Sequence, residues 1–206
     1  MNLNKESYSI LVIFVFHLIG AVGLCIPDLR DYFLLLTPFN LLLTLFILIW
    51  NSSFNNLSKM LIIVVLGFVV ELIGVKTEVL FGSYNYGTSF GYKLFDVPLI
   101  IGVNWLILVL GTKAIFQKYF DSKWVQIILG STLMVLLDVL IEPVAIKLNF
   151  WQWENNVIPT QNFIMWFMVS LLMHWILSFK KTAIPYRLGL ILIVSQAGFF
   201  SIINIF

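Results

Sequence analysis

Seven long apolar stretches, separated by mostly short polar connections, follow one another along the chain. Each is close to the roughly 20 residues that an α-helix needs to cross the hydrocarbon core of a bilayer. They cover residues 7–26, 32–50, 58–75, 97–116, 124–146, 162–179 and 185–205. The pattern therefore predicts an all-α, polytopic membrane protein in which residues 1–206 form a single transmembrane domain.

Two connections, 76–96 and 147–161, are longer than the others and fall on the same side of the membrane if all seven spans hold. The first belongs to the stretch 71–98, ELIGVKTEVLFGSYNYGTSFGYKLFDVP, where glycines, tyrosines and charged residues interrupt the apolar pattern. Glycines permit turns and close backbone approach, and tyrosines combine a ring with a polar tip. We expect an aromatic, Gly-rich segment between helices 3 and 4 that forms the wall of a site at the membrane boundary.

Positive charges predict the orientation of the chain, because short cytoplasmic connections carry an excess of lysine and arginine. Of the 12 lysines and arginines, eight would lie on one side and four on the other. The richer side holds Lys5, Lys59, Lys113, Lys118, Lys123, Lys180, Lys181 and Arg187. The sequence thus predicts a multi-pass protein of the cell membrane with a cytoplasmic N-terminus and both long connections outside. The first span lacks a small-residue cleavage site and is expected to stay in the membrane.

Composition narrows the functional classes further. Hydrophobic residues make up 61% of the chain and charged residues 11%, against about 25% charged in soluble domains. The net charge of +2 gives no indication of a nucleic-acid partner, and one cysteine excludes an internal disulfide. Two histidines, with no Glu-x-x-His pair and no nucleotide-binding fingerprint, predict neither a metal site nor another cofactor. His17 is expected to bond to a neighbouring helix, and His174 to pack or form a hydrogen bond within the bundle.

Three carboxyl groups, those of Glu71, Asp138 and Glu142, lie inside apolar runs. An acid at that depth is costly unless it is partnered or neutral, which favours a functional role. Asp138 and Glu142 are four residues apart, so they share one helix face and repel each other when both are ionised. One of them is therefore expected to hold a proton at neutral pH and to be able to donate it. The structural alternative is a polar knot with Asn104, a tyrosine or a histidine.

Aromatic residues accompany these acids in the sequence. Trp151 and Trp153 follow the fifth span, Trp105 lies early in the fourth, and Tyr84 and Tyr86 lie in the Gly-rich segment. Tryptophan near the end of a span usually anchors the helix at the membrane interface. A ring face beside an acid is also what a carbocation intermediate requires, because ring quadrupoles attract positive charge. Both interpretations remain open at this stage.

Several spaced motifs, all within about residues 67–153, resemble those of a known family. They are Glu71-x-x-Gly74-x-x-Thr77-x-x-x-Phe81-Gly82-x-Tyr84-x-Tyr86, then Val97-Pro98 and Asn104-Trp105, then Asp138-x-x-x-Glu142-Pro143 and Trp151-x-Trp153. In this order they resemble the integral-membrane carotenoid biosynthesis proteins. That family includes carotenoid 1,2-hydratases of the γ-carotene and bisanhydrobacterioruberin type.

The resemblance implies a cofactor-independent hydro-lyase that adds water to the terminal C=C of a ψ end group, giving a 1-hydroxy carotenoid. Protonation would give a tertiary cation, which water would then capture. Asp138 is the expected proton donor, with Glu142 or Glu71 positioning the water. The residues expected to bind substrate are Phe81, Tyr84, Tyr86, Asn104, Trp105, Trp151 and Trp153. The implied partners are a carotenoid within the bilayer, water and other membrane enzymes of the carotenoid pathway.

Three other functions compete with hydration. One is a purely structural or assembly protein, which would not need so many acids at depth. A small proton-coupled transporter or lipid-handling protein would also need buried carboxyl groups. The chain has no inverted repeat of the kind many transporters show, and its acids gather toward one face. Within the enzymes, a carotenoid end-group cyclase would begin with the same protonation but quench the cation internally, in a dry pocket.

Overall fold

The computed structural model describes residues 4–52, 57–178 and 184–206, and helices dominate them. In these ranges seven helices are long and apolar enough to cross a membrane. They are α1 (Lys5–Cys25), α2 (Pro27–Trp50), α3 (Leu57–Thr77), α4 (Ile100–Tyr119), α5 (Lys123–Lys147), α6 (Thr160–Ser178) and α7 (Tyr186–Ile205). The all-α, polytopic prediction is confirmed. Lys180 and Lys181, which contribute to the predicted orientation, lie outside the described residues, and the orientation stays a prediction.

Helices α1 and α2 are joined by a single residue, Ile26. Pro27 opens α2, a position that suits proline because the first N–H groups of a helix have no partner within it. The helix therefore begins five residues before the predicted span 32–50, and Asp28 and Asp31 belong to its start rather than to a loop. The result is a tight antiparallel hairpin.

Helix α4 is the central element of the bundle. Its side chains are buried without interruption from Trp105 to Ile115, and it packs against α2, α3, α5, α6 and α7. Gly102 permits the close approach of α3, since a Cβ atom there would lie 2.2 Å from the carbonyl oxygen of Val64. The crossing of α3 and α4 is what brings residues of these two helices together at the site described below.

The two long connections are joined by a short antiparallel ribbon made of β1 (Tyr84–Tyr86) and β4 (Trp151–Trp153). Tyr84 pairs with Trp153, and Tyr86 pairs with Trp151. Side chains alternate between the two faces of a strand, so the four rings share one face of the ribbon. That face is buried, whereas Asn85 between the tyrosines is exposed.

The ribbon continues at both ends through backbone hydrogen bonds. The N–H of Gly87 donates to the carbonyl of Phe150 at 2.9 Å, and that of Glu154 donates to Ser83 at 3.0 Å. Gly87 fits because a Cβ atom there would lie only 1.8 Å from the carbonyl oxygen of Asn149. The ribbon thus seals one end of the bundle over α3 and α5.

A second pair, β2 (Lys93–Leu94) and β3 (Val97–Pro98), forms a small hairpin before α4. The predicted fourth span began at 97, but residues 97 and 98 pair with this hairpin and the helix starts at Ile100. The end of the predicted sixth span, residue 179, lies outside the described residues.

Candidate active site

Glu71 lies on α3, and only 3% of its surface is exposed. At a helical rise of about 1.5 Å per residue, it is roughly 9 Å from the C-terminal end of α3. Its Oε2 atom accepts hydrogen bonds from the hydroxyl groups of Tyr84, at 2.6 Å, and Tyr86, at 2.7 Å. Its Oε1 atom accepts one from the indole Nε1 of Trp105, at 2.9 Å. The carboxyl group is therefore partnered at both oxygens.

The two tyrosines on β1 remain neutral phenols. Burial raises the pKa of Tyr84 and the pKa of Tyr86 well above the ordinary value, because the phenolate would lose its hydration. Each hydroxyl group therefore keeps its proton and is able to donate it in a hydrogen bond to Glu71.

Glu142 lies on α5, one turn from its C-terminal end, and its donors are of a different kind. Its Oε2 atom accepts hydrogen bonds from the indole Nε1 atoms of Trp151, at 3.0 Å, and Trp153, at 2.6 Å. Its Oε1 atom accepts one from the side-chain amide of Asn162, at 2.9 Å. Every one of these donors is an N–H group.

Asp138 lies one turn before Glu142 on the same face of α5, as the spacing predicts, and is completely buried. Its Oδ2 atom accepts a hydrogen bond from the same Asn162 amide at 3.0 Å. Its Oδ1 atom has no hydrogen-bond partner within the described part of the chain. Asn162 thus links the two carboxyl groups of α5.

A cavity with about 370 Å³ of empty space lies beneath the ribbon. Both Glu71 and Glu142 face it, and among the described residues that line it there is no lysine, arginine or histidine. The lining consists of Glu71, Phe81, Tyr84, Tyr86, Ile101, Asn104, Ile141, Glu142, Trp151, Trp153, Asn162 and Trp166. The site is therefore an acidic, aromatic cavity without a balancing positive side chain in its wall.

Most of the residues predicted from the sequence meet here. Two of them, Asp138 and Trp105, are bonded to the site without being part of the described lining. The interpretation of Trp151 and Trp153 as interfacial anchors is wrong, because both are buried and direct their N–H groups at Glu142. Their pairing with β1 draws them into the protein.

Sequence reasoning missed Asn162 and Trp166, which line the cavity from the first turns of α6. Trp166 stacks on Trp105, with ring centroids 4.0 Å apart and planes 24° apart. The available signal is their four-residue spacing, which puts an amide and a ring on one helix face directly after the second long connection.

The two histidines lie away from the carboxyl groups. His174 bonds to Thr112 of α4 at 2.9 Å and to the carbonyl of Ser170, as expected of a packing histidine. His17 was expected to bond to a neighbouring helix, but its Nδ1 atom donates to the carbonyl of Ile13 one turn back in α1. In the described ranges, no three His, Cys, Asp or Glu side chains come together as metal ligands would.

Comparison with known proteins identifies relatives of this chain. A family model described as "Carotenoid biosynthesis protein" matches residues 32–206. A protein of Haloarcula japonica named bisanhydrobacterioruberin hydratase is 27% identical over 187 aligned residues, covering 79% of this chain. The chain spans 61% of that protein's length. No solved structure matches.

Proposed function

This chain belongs to the carotenoid biosynthesis protein family, and from that premise we propose that it is a carotenoid hydratase. It adds water to the terminal C=C bond of a ψ end group and forms a 1-hydroxy carotenoid. The name of its Haloarcula japonica relative supports this choice, since that protein is called a hydratase. The family supports a carotenoid as the substrate.

One observation carries the proposal: two buried carboxyl groups with unlike hydrogen-bond partners face the same cavity. Hydration of an alkene needs an acid that protonates the less substituted carbon and a base that deprotonates the attacking water. Glu71 and Glu142 supply a candidate for each task. General acid or base catalysis of this kind contributes about 10²- to 10⁴-fold in rate.

We assign the donor role to Glu71 because of its tyrosine partners. A hydroxyl group can donate or accept a hydrogen bond, so Tyr84 and Tyr86 can satisfy Glu71 with or without its proton. The neutral acid transfers its proton to the alkene, whose π electrons form the new C–H bond. The resulting Glu71 carboxylate then faces the tertiary cation across the cavity and accepts both hydroxyl hydrogen bonds.

We assign the base role to Glu142 because its partners only donate. Indole and amide N–H groups cannot accept a hydrogen bond, so Trp151, Trp153 and Asn162 complement a carboxylate. A water molecule beside Glu142 forms the new C–O bond at the cation and releases a proton to this carboxylate. Return of that proton to Glu71 through water restores the resting site.

Asp138, the donor expected from the sequence, has a different role in this proposal. It is completely buried, contacts Asn162 and does not belong to the described cavity lining. A second charge next to Glu142 would be repelled at this depth. Asp138 is therefore a neutral companion that fixes Asn162, and its part in catalysis is positional.

The aromatic rings hold the intermediate. The rings of Tyr84 and Trp153 lie 5.0 Å apart at the cavity wall, and those of Tyr86 and Trp151 lie 6.0 Å apart. A desolvated cation beside aromatic faces gains about 2 kcal/mol or more. Together with the two carboxylates, the rings make the cavity suited to a short-lived tertiary cation.

Expression in cells that accumulate a carotenoid with a free ψ end tests this function. Mass spectrometry of the extracted pigments should show a gain of one water per modified end. The Glu142→Gln variant should lose this product, whereas Glu154→Gln, an exposed acid next to β4, should keep it. A ring-containing isomer of unchanged mass would instead identify a cyclase, and no new pigment from membrane-inserted protein would contradict both.

A further inference from the structure

An open groove runs along the outside of α1 and α2 and reaches α7. It contains about 1110 Å³ of empty space, and its wall is almost entirely apolar. Phe16 and Gly20 of α1, Leu36 and Phe39 of α2 and Phe199 of α7 are part of this wall. Since the helices around it are membrane spans, the groove opens toward lipid chains.

A chamber with about 600 Å³ of empty space lies between this groove and the acidic cavity. Thr37, Asn40 and Phe199 line both the groove and the chamber. On its other side, Asn104, Ile141 and Trp151 line both the chamber and the acidic cavity. The three spaces therefore follow one another through shared walls, from the lipid to Glu71 and Glu142.

We propose that the groove binds the hydrocarbon chain of the substrate and that the chamber leads its end group to the acidic cavity. This inference rests on the proposed function. The cavity is far too small for a long polyene, so most of the chain must lie elsewhere. A groove that shares wall residues with the chamber, as the chamber does with the cavity, accepts that chain directly from lipid, without passage through water.

The depths of the groove and the acids agree with this path. α1 and α5 run in the same direction across the bundle, and Gly20 and Glu142 each lie roughly 7.5 Å before the C-terminal end of their helix at about 1.5 Å per residue. A chain in the groove thus enters at nearly the level of the reacting end. It does not have to cross the membrane to reach the acids.

The chamber also has polar atoms that suit the water to be added. Gln196 is 6% exposed, and its Oε1 atom lacks a partner in the described part of the chain, as does Oδ1 of Asn40. His17 lines the same space, and because its Nδ1 donates to Ile13, its Nε2 is left as an acceptor. Buried acceptors of this kind are normally satisfied by ordered water. End group and water therefore meet where the chamber joins the cavity.

Replacement of Gly20 by leucine tests the path. A Cβ atom on Gly20 would already lie 3.3 Å from the ring of Phe199, so the leucine side chain fills the groove where it joins the chamber. Gly198→Leu is the matched control, because a Cβ atom there meets nothing within 4 Å. Two quantities are measured on purified protein from carotenoid-producing cells: the visible absorbance of retained pigment per protein, and the hydrated fraction of that pigment.

The expected result is a drop in retained pigment of about tenfold for Gly20→Leu, equal to roughly 1.4 kcal/mol of binding, with Gly198→Leu unchanged. A second pair of variants tests the groove independently, in case Gly20→Leu does not fold. Leu36→Trp obstructs the groove from a side chain that is 52% exposed, and Leu35→Trp adds the same ring to a neighbour that is 67% exposed and outside the groove lining.

If all four variants retain pigment equally, the proposal that the groove binds the substrate chain is wrong, even if the wild-type protein hydrates its substrate. Pigment lost from Gly20→Leu and Leu36→Trp alone would support the groove. In that case an unhydrated pigment on the wild-type protein would count against the hydratase function and not against the binding path. Absence of pigment from the wild-type protein would also overturn the groove.

Discussion

Glu71 and Glu142 lie beneath the same two-stranded ribbon, yet the ribbon gives them different hydrogen-bond donors. Strand β1 directs two hydroxyl groups at Glu71, and strand β4 directs two indole N–H groups at Glu142. Each acid receives a third hydrogen bond from a helix, from Trp105 of α4 or Asn162 of α6. The two regions are alike in burial and in the number of donors, and differ in what those donors can do.

The difference teaches how one short ribbon can prepare two acids for opposite tasks. Hydroxyl partners can reverse their hydrogen bonds when a carboxyl group gains or loses a proton, and N–H partners cannot. The strand register couples the two environments, because Tyr84 pairs with Trp153 and Tyr86 with Trp151. In the proposed hydratase, this asymmetry separates proton donor from base.

The largest expected effects come from removing either carboxyl group. Glu71→Gln and Glu142→Gln should each lower formation of the hydrated carotenoid by about 10²-fold or more, the range of general acid or base catalysis. Pigment analysis of cells with matched amounts of membrane-inserted protein measures this. Activity within a fewfold of the wild type in either variant would remove that acid from the proposed chemistry.

Intermediate effects are expected from removing one donor on each side. Tyr86→Phe keeps the ring but deprives the Glu71 carboxylate of a hydrogen bond worth about 1.5–3 kcal/mol to a charged group, so total turnover should fall. Trp153→Phe instead removes an indole hydrogen bond from Glu142, so capture of the cation by water should be slower. More of the cation should then lose a proton to give an isomerised alkene, and the ratio of hydrated carotenoid to this isomer should fall.

The ratio of hydrated to isomerised carotenoid distinguishes the effect of the β1 tyrosines from that of the β4 tryptophans in this experiment. Tyr84→Phe is a companion to Tyr86→Phe, since it removes the second hydroxyl donor to the same Oε2 atom. The same product ratio in the tyrosine and tryptophan variants would show that the asymmetry of the two regions has no chemical consequence.

The smallest effect is expected at Asp138. An asparagine has the shape of a neutral aspartic acid and can still accept the Asn162 hydrogen bond, so Asp138→Asn should keep activity within about tenfold, as expected for a residue that does not donate the proton. Its measured membrane level controls for insertion. Complete loss of product with normal insertion would return the donor role to Asp138, as the sequence alone had favoured.

Much of this arrangement could be predicted from the sequence, because it depends on local spacing. The apolar runs predicted the spans, and the depth of Glu71, Asp138 and Glu142 predicted a shared acidic region. The four-residue spacing on α5 predicted that two of these acids share a face. The spacing Tyr84-x-Tyr86 likewise puts both hydroxyl groups on one face of a strand.

What could not be predicted depends on contacts between distant segments. Pairing of β1 with β4 joins residues far apart in the chain, and without it Trp153 has the pattern of an interfacial anchor. Asn162 has no local feature that marks it as the link between Asp138 and Glu142. The distinction between hydroxyl and N–H partners, which carries the functional proposal, appears only once those segments are folded together.

Deuterium uptake tests the central claim, a division of roles between Glu71 and Glu142, most directly. The two glutamine variants and the wild type are supplied with the ψ-end carotenoid in D₂O, and the unhydrated substrate is recovered and analysed by mass spectrometry. In the Glu142→Gln variant, Glu71 can still deliver a deuteron to the alkene, and its carboxylate can take a proton back from the same carbon, so the recovered substrate should contain deuterium. Glu71→Gln cannot begin the reaction, and its substrate should contain none. Deuterium in the substrate from Glu71→Gln, or its absence from that of Glu142→Gln, would contradict the account.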